Sequence, residues 1–124
     1  QREISSGTRG AFDEIVLEKQ EATAPQLVTV ITAGDVAATV AKIKGAIGYV
    51  GFGNLDSSHL KLLSIDGVIA TPETIKAGQY RLFRPLSLLS GPFSQPLAQV
   101  FIEFVLSSEG EKAIEEFGWI PVKK

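Results

Sequence analysis

A cluster of hydroxyl-bearing, glycine and arginine residues near the start of the sequence has the composition of an anion-binding turn. Residues 2–10 read R-E-I-S-S-G-T-R-G, and Ser6, Gly7 and Thr8 lie where an amphipathic helix is predicted to begin. The first backbone N–H groups of a helix have no partner within the helix, and the helix dipole places partial positive charge there. The segment therefore predicts a site for phosphate or a similar oxyanion.

The side chains of the same segment strengthen this prediction. Gly7 has no side chain, so an oxyanion can approach the backbone, and the Ser6 and Thr8 hydroxyls can donate further hydrogen bonds. Arg2 and Arg9 flank the turn, and a planar guanidinium suits a tetrahedral anion. The alternative interpretation is that Ser6 only caps a helix and that the two arginines are solvated.

Other chemistry receives little support from the sequence. There is no cysteine and a single histidine, His59, so we expect no metal site and no cofactor. A Ser-His-Asp triad can be assembled on paper from His59, Asp56 or Asp66 and one of the serines, but the G-x-S-x-G motif is absent. The P-loop motif is also absent, and the glycines of residues 45–48 are typical of a tight turn and close packing. We therefore expect binding rather than catalysis.

Length and charge limit the classes of protein that remain. A chain of 124 residues fits one domain, and 12 basic against 14 acidic residues give a net charge of −2. This balance argues against nucleic acid as a partner. No apolar run reaches the roughly 18 residues that a membrane helix needs. The chain has no methionine and begins with Gln1, so we expect a processed or excised piece of a longer product.

Predicted strands and helices alternate through the first half of the chain, which favours an α/β fold with a mixed sheet flanked by helices. Helices are predicted over residues 8–19, 35–43, 72–78, 96–106 and 108–117, the last with a capping box at Ser108 and Glu111. Strands are predicted over residues 27–32, 46–52, 60–65 and 80–89. Pro85 makes the last of them an edge strand or a strand that changes sheet. Asp66-Gly67 predicts a tight turn.

Four blocks of sequence also resemble one known family. These are R-E-x-S-S-G-T-R-G-A-F at the start, G-D-V-A-A-T-V-A-K-I-K-G-A-I-G-Y-V-G-F at residues 34–52, I-D-G-V followed by T-P-E-T-I-K-A-G-Q-Y-R-L-F-R-P-L at residues 65–86, and F-I-E-F-V-L-S-S-E-G-E-K-A-I-E-E-F-G-W-I-P-V at residues 101–122. They resemble, in order, the phosphate-binding proteins of phosphate ABC importers, the PstS family. The resemblance covers nearly the whole chain.

The resemblance implies a periplasmic-binding-protein fold of the second type, with two α/β lobes and the anion in the cleft between them. It implies that Ser6, Gly7 and Thr8 grip phosphate at a helix N-terminus and that Arg2 pairs with the anion. Arg9 aligns with a frequent family arginine. It further implies an extracytoplasmic location, inorganic phosphate as the ligand, an ABC permease as the partner of the full system, and no catalysis.

The chain departs from the family in length, because family members are more than twice as long. The missing part includes a T-G-S-type loop and an acidic residue that accepts a proton from hydrogen phosphate. Residues 1–124 are thus expected to form a single domain, with residues 1–82 as the second lobe and residues 83–124 as the returning tail of the first. The apolar faces are expected to pair with a second copy or with the missing N-terminal lobe. The alternative is that the tail helices fold back on this lobe and leave a compact monomer. A ligand-free structural or interaction domain is the alternative function.

Overall fold

Helices make up most of the regular secondary structure. The computed structural model describes residues 1–55, 59–93 and 95–122. Within these residues the helices are α1 (Gly7–Ile15), α2 (Ala33–Lys42), α3 (Pro72–Lys76), α4 (Pro96–Val105) and α5 (Ser108–Glu116), with a 3-10 turn at Phe52–Asn54. The chain divides into two compact units, Gln1–Phe83 and Arg84–Lys124. No described helix combines the length and apolar character that crossing a bilayer requires.

A short parallel pairing positions the first two helices of unit 1. Arg2 lies opposite Val30 in a parallel bridge. The Val30 N–H donates to the Gln1 carbonyl at 2.9 Å, and the Glu3 N–H donates to the Val30 carbonyl at 3.0 Å. Both paired segments lead directly into a helix, and because they run parallel, α1 and α2 begin at the same end of the pairing.

Side-chain caps begin both helices. The Ser6 hydroxyl accepts a hydrogen bond from the Arg9 N–H at the start of α1. At the start of α2, Thr32 and Asp35 form a reciprocal capping box, in which each side chain accepts from the backbone of the other. The prediction of both helices is confirmed. However, α1 ends at Ile15 rather than at residue 19, because Glu18 and Lys19 adopt left-handed backbone conformations with φ of 50° and 67°.

Close packing against α2 accounts for the glycine at position 48. A Cβ atom there would lie 2.7 Å from the Val36 Cγ1 and 3.0 Å from the Val40 Cγ2. Val36 is buried, and Val36 and Ala70 are the buried apolar side chains of the described residues. Gly45 takes a φ of 81°, which favours glycine. The interpretation of these glycines as turn and packing residues is thereby confirmed.

The turn and helix signals of residues 65–78 are also confirmed. Ile65 and Val68 exchange two backbone hydrogen bonds of 2.9 Å around a two-residue turn. Asp66 and Gly67 both have positive φ, as a type I′ turn requires. Helix α3 follows with Thr71 as its N-cap and proline in its first turn, and Gly78 leaves it at a φ of 69°.

The structure corrects the predicted strands. Within the described residues the isolated pairings are Arg2 with Val30, which is parallel, and Ile65 with Val68, which is antiparallel. Beyond these isolated pairings, no β-ladder forms in the segments predicted as strands, which are residues 27–32, 46–52, 60–65 and 80–89. Phe52 begins a 3-10 turn instead. Alternation of apolar residues reports which face is buried, but a ladder also needs a neighbouring strand with free N–H and C=O groups.

Unit 2 consists of α4 and α5 joined by a tight turn. Ser107 caps α5 by accepting from the Gly110 N–H at 3.2 Å, and its hydroxyl donates to the Phe104 carbonyl at 2.6 Å. The cap therefore lies one residue before the predicted Ser108. The apolar side of α4 is open, with Leu97 77% and Phe101 55% exposed, and lines a groove of about 720 Å³.

Replacing Gly110 should destabilise the chain. A methyl group at this position would overlap the backbone carbonyls of Phe104 and Val105, which cannot move without breaking the turn. We expect Gly110→Ala to lower the free energy of unfolding by about 1–3 kcal/mol in thermal unfolding followed by circular dichroism. Gly10→Ala is the matched control, because nothing lies within 4 Å and the helical glycine should gain stability, by about 0.5–1 kcal/mol. Equal effects of both substitutions would contradict this account.

Acid should weaken the helix caps. Hydrogen bonds from the Thr32 hydroxyl and N–H lower the pKa of Asp35 below its ordinary 3.8, and the backbone N–H of Glu73 and the Thr71 hydroxyl lower that of Glu73 below 4.5. A lowered folded-state pKa stabilises the fold above the ordinary pKa, and this contribution is lost as the pH falls through the lowered value. We expect urea midpoints to fall below about pH 4.5. Asp35→Asn should make this fall smaller, and an unchanged pH dependence would rule out the contribution of Asp35.

Candidate anion-binding site

The predicted anion-binding residues meet at the start of α1. The chain leaves the pairing with Val30 and turns sharply, with the Ser6 N–H donating to the Glu3 carbonyl at 3.1 Å. Ser6 then takes an extended conformation and is 7% exposed. Its hydroxyl oxygen accepts from the Arg9 N–H at 3.4 Å, so its own proton remains available to an acceptor.

Two backbone amides at this helix start have no protein acceptor among the described residues. The Arg9 and Gly10 N–H groups donate to the Ser6 hydroxyl and the Ser6 carbonyl. The Gly7 and Thr8 N–H groups have no such partner, and Gly7 is exposed while Thr8 is half-buried. Free amides at a helix N-terminus carry partial positive charge and can donate to an anion.

Arg2 adds an unpaired donor of full charge. Its Nε atom is buried and has no hydrogen-bond partner among the described residues. Its backbone is held more tightly, because its N–H donates to the Tyr49 hydroxyl at 3.4 Å and its carbonyl accepts from the Arg9 Nη1 at 3.3 Å. A buried donor without an acceptor is unfavourable in a folded protein. The Nε of Arg2 is therefore a donor that an anionic ligand could satisfy.

Arg9 lies at the site, but two of its nitrogen atoms donate to protein acceptors. Its Nε forms an ion pair with the Asp13 Oδ2 at 3.3 Å, one helical turn further along α1. Its Nη1 donates to the Arg2 carbonyl, and the side chain is 12% exposed. The structure therefore brings Arg9 beside Arg2, with these two donors directed at the protein.

The carboxylate nearest in sequence is already bound by donors of the protein. Glu3 accepts hydrogen bonds of 2.7 Å from both the N–H and the hydroxyl of Ser5. These two bonds lower its pKa, the hydroxyl most, and the charges of Arg2 and Arg9 act in the same direction. Glu3 thus stays ionised beside the turn, where its charge opposes the approach of an anion.

Tyr49 lies beside Arg2 and packs on Phe12, although the sequence analysis singled out neither residue. Their rings stack with centroids 4.1 Å apart and an angle of 11°. Burial raises the pKa of Tyr49, and the charge of Asp13 adds to this, while the hydrogen bond from Arg2 and the charges of Arg2 and Arg9 oppose it. A tyrosine in a predicted buried segment needs a polar partner for its hydroxyl, and this was the available signal.

The other sequence candidates do not assemble into a site. No group of three or more potential metal ligands occurs within residues 1–55, 59–93 and 95–122. His59 is exposed, Asp66 pairs with Arg81 at 3.8 Å on the surface, and Asp56 lies outside the described residues. The groove of α4 and a second concavity of about 520 Å³ beside α2 are not lined by residues 2–9.

Comparison of sequences identifies relatives along nearly the whole chain. The model of the PBP superfamily domain matches residues 1–109. The chain is 36% identical to the phosphate-binding protein PstS 2 of Streptococcus agalactiae over 130 residues, which cover 98% of this chain and 44% of the relative. It is 29% identical to the phosphate-binding protein PstS of Borreliella burgdorferi over 132 residues, with 98% and 47% covered. The chain therefore spans about half the length of the curated relatives it matches.

Solved structures agree with this assignment. The crystal structure of a phosphate-binding protein of a phosphate ABC transporter from Streptococcus pneumoniae superposes with a TM-score of 0.86 at 34% identity, covering 100% of this chain and 51% of the other. A phosphate ABC transporter substrate-binding protein with bound phosphate from Clostridium perfringens gives 0.84 at 33%, covering 98% and 50%. The predicted α/β class is confirmed by these neighbours. The chain belongs to the PBP superfamily, and the relatives it matches there are phosphate-binding proteins named PstS.

Proposed function

We propose that this chain binds inorganic phosphate, or a similar tetrahedral oxyanion, at the start of α1. The observation that carries the proposal is the set of donors without a protein acceptor among the described residues: the Gly7 and Thr8 amides and the buried Nε of Arg2. One helix start and one strand end present them. The relatives of this chain are phosphate-binding proteins, and one solved neighbour holds phosphate.

Each donor has a distinct part in this proposal. The amides of Gly7 and Thr8 meet the anion with the positive end of the α1 dipole. The Ser6 and Thr8 hydroxyls donate to further oxygens, and Arg2 supplies the full charge. Arg9 contributes its charge from beside the site.

The chain acts without catalysis in this proposal. A serine nucleophile needs a neighbouring base, and the described contact of the Ser6 hydroxyl is the N–H of Arg9. The carboxylate of Glu3 accepts from Ser5 and is held in its ionised form. The arrangement of donors around one anion therefore favours a substrate-binding component of a phosphate ABC transport system.

The relatives support a proposed setting for this chain. In this proposal residues 1–82 form the second lobe and residues 83–124 the returning tail of the first, in an extracytoplasmic protein that delivers phosphate to an ABC permease. The open apolar face of α4 supports a covering partner, which is either the first lobe or a second copy of the chain.

A ligand-free interaction domain is the second candidate function. It is favoured by the same apolar face, on which Leu97, Phe101 and Phe104 are all exposed. A domain of this kind would associate with a partner and ignore oxyanions. A phosphate titration separates the two functions.

Phosphate should stabilise the chain through Arg2. At 100 times its dissociation constant, phosphate should add about 2.7 kcal/mol to the free energy of unfolding. Arg2→Ala should remove most of this gain in thermal unfolding at matched ionic strength. Arg81→Ala is the control, because Arg81 is an exposed arginine paired with Asp66 in the same unit. The absence of any shift with millimolar phosphate, or an equal loss in both variants, would count against the proposal.

Sulfate should stabilise the chain nearly as well as phosphate. Rejection of sulfate requires a group beside the anion that accepts the proton of hydrogen phosphate. Glu3 and Asp35 already accept from Ser5 and Thr32. Asp13 has one oxygen without a partner among the described residues, but it lies six positions beyond Gly7 on α1 and pairs with Arg9. We expect stabilisation by the two anions to agree to within about 1 kcal/mol, the size of one hydrogen bond. Isothermal titration with each anion at pH 7 tests this. Affinity for sulfate that is lower by a factor of 100 would show that this chain contains its own proton acceptor.

A further inference from the structure

We infer that Tyr49 and Arg9 are positioning residues, which fix the backbone of Arg2 and so direct its guanidinium at the anion. The inference rests on the proposed phosphate site and assigns two of its residues a role other than direct contact. Four contacts carry it: the two hydrogen bonds to the Arg2 backbone, the ring stacking of Tyr49 and the ion pair of Arg9.

The parallel pairing determines which way the backbone groups of Arg2 point. In such a pairing, alternate residues direct their N–H and C=O groups to opposite edges of the segment. The Gln1 carbonyl and the Glu3 N–H bond to Val30 on one edge. The N–H and carbonyl of Arg2 therefore face the other edge, where a sheet would place another strand.

Two side chains occupy the place of that neighbouring strand. The Tyr49 hydroxyl accepts from the Arg2 N–H at 3.4 Å, and the Arg9 Nη1 donates to the Arg2 carbonyl at 3.3 Å. Both polar groups of one residue are thus satisfied by side chains that come from different parts of the chain. Rotation of the Arg2 backbone would break at least one of these bonds.

The bracing side chains are themselves held by α1. The Tyr49 ring stacks on Phe12, and the Arg9 Nε is fixed by Asp13. Arg9, Phe12 and Asp13 all belong to the helix whose N-terminus presents the free amides of Gly7 and Thr8. Arg2 is therefore locked to the same helix that supplies the other donors, which preorganises the whole set.

Loss of the Tyr49 hydroxyl should weaken phosphate binding without unfolding the chain. Tyr49→Phe keeps the ring that stacks on Phe12 and removes only the acceptor of the Arg2 N–H. We expect a phosphate dissociation constant about fivefold higher, the effect of one hydrogen bond. Tyr80→Phe is the matched control, because Tyr80 is the other tyrosine, is also partly buried and lies in the same unit. Isothermal titration should show no change for it.

Coupling to Arg2 separates positioning from direct contact. In the Arg2→Ala background the guanidinium is absent, so Tyr49→Phe should have no further effect on phosphate affinity. An equal fivefold loss in both backgrounds would mean that the Tyr49 hydroxyl contacts the anion itself, and the inference would be wrong. An unchanged affinity for Tyr49→Phe alone would also overturn it.

Arg9→Lys tests the other brace. Lysine keeps the positive charge but cannot reach Asp13 and the Arg2 carbonyl with two fixed donors. If Arg9 is a positioning residue, Arg9→Lys should lose about fivefold in affinity with an unchanged dependence on salt, as one lost hydrogen bond implies. Full rescue by lysine would show that the charge alone matters and would overturn the role of Arg9.

Hydrogen exchange distinguishes failure of this inference from failure of the proposed function. Without phosphate, the Arg2 amide should exchange faster in Tyr49→Phe than in the unmodified chain and in Tyr80→Phe. If the unmodified chain does not bind phosphate, the proposed function fails, and faster exchange at Arg2 would still support the brace. Equal exchange in all three proteins would overturn the brace whether or not phosphate binds.

Discussion

The parallel pairing of residues 1–3 with Val30 determines where the charged groups of this chain can act. It places Arg2 at the end of the pairing from which α1 and α2 begin. The sharp turn at Ser6 then leaves the amides of Gly7 and Thr8 without protein acceptors among the described residues. Helix starts and a guanidinium are common features separately. Here they occur together at one end of the pairing, and the buried Arg2 Nε has no partner among the described residues. This combination is what makes the site suited to an anion.

Local signals in the sequence were sufficient for the start of the site and for the helices. Two helix starts are specified by the side chains at their first positions, which are Ser6 for α1 and Thr71 and Pro72 for α3. The turn at Asp66-Gly67 is specified by the backbone preferences of these two residues. Such effects act over three or four residues. They can therefore be predicted without knowledge of the rest of the fold.

Contacts between residues that are distant along the chain could not be predicted from the sequence. The bond between Arg2 and Tyr49 joins positions 47 residues apart, and nothing in either segment specifies the other. The predicted strands failed for a related reason. Alternating apolar residues show that a segment is suited to a sheet. However, residues 46–52 and 80–89 have no neighbouring strand to pair with among the described residues. The end of α1 was also missed, because Glu18 and Lys19 adopt a left-handed conformation that is uncommon for their residue types.

The central claim is that the Gly7 and Thr8 amides and the Arg2 guanidinium are the donors to phosphate. Titration of the ¹⁵N-labelled chain with phosphate, followed by heteronuclear NMR at constant ionic strength, tests it directly. The account predicts saturable shifts of the Gly7 and Thr8 amide signals and of the Arg2 Nε–H, with the Arg81 Nε–H unmoved. Shifts confined to other regions, with these three signals unchanged at saturation, would contradict it.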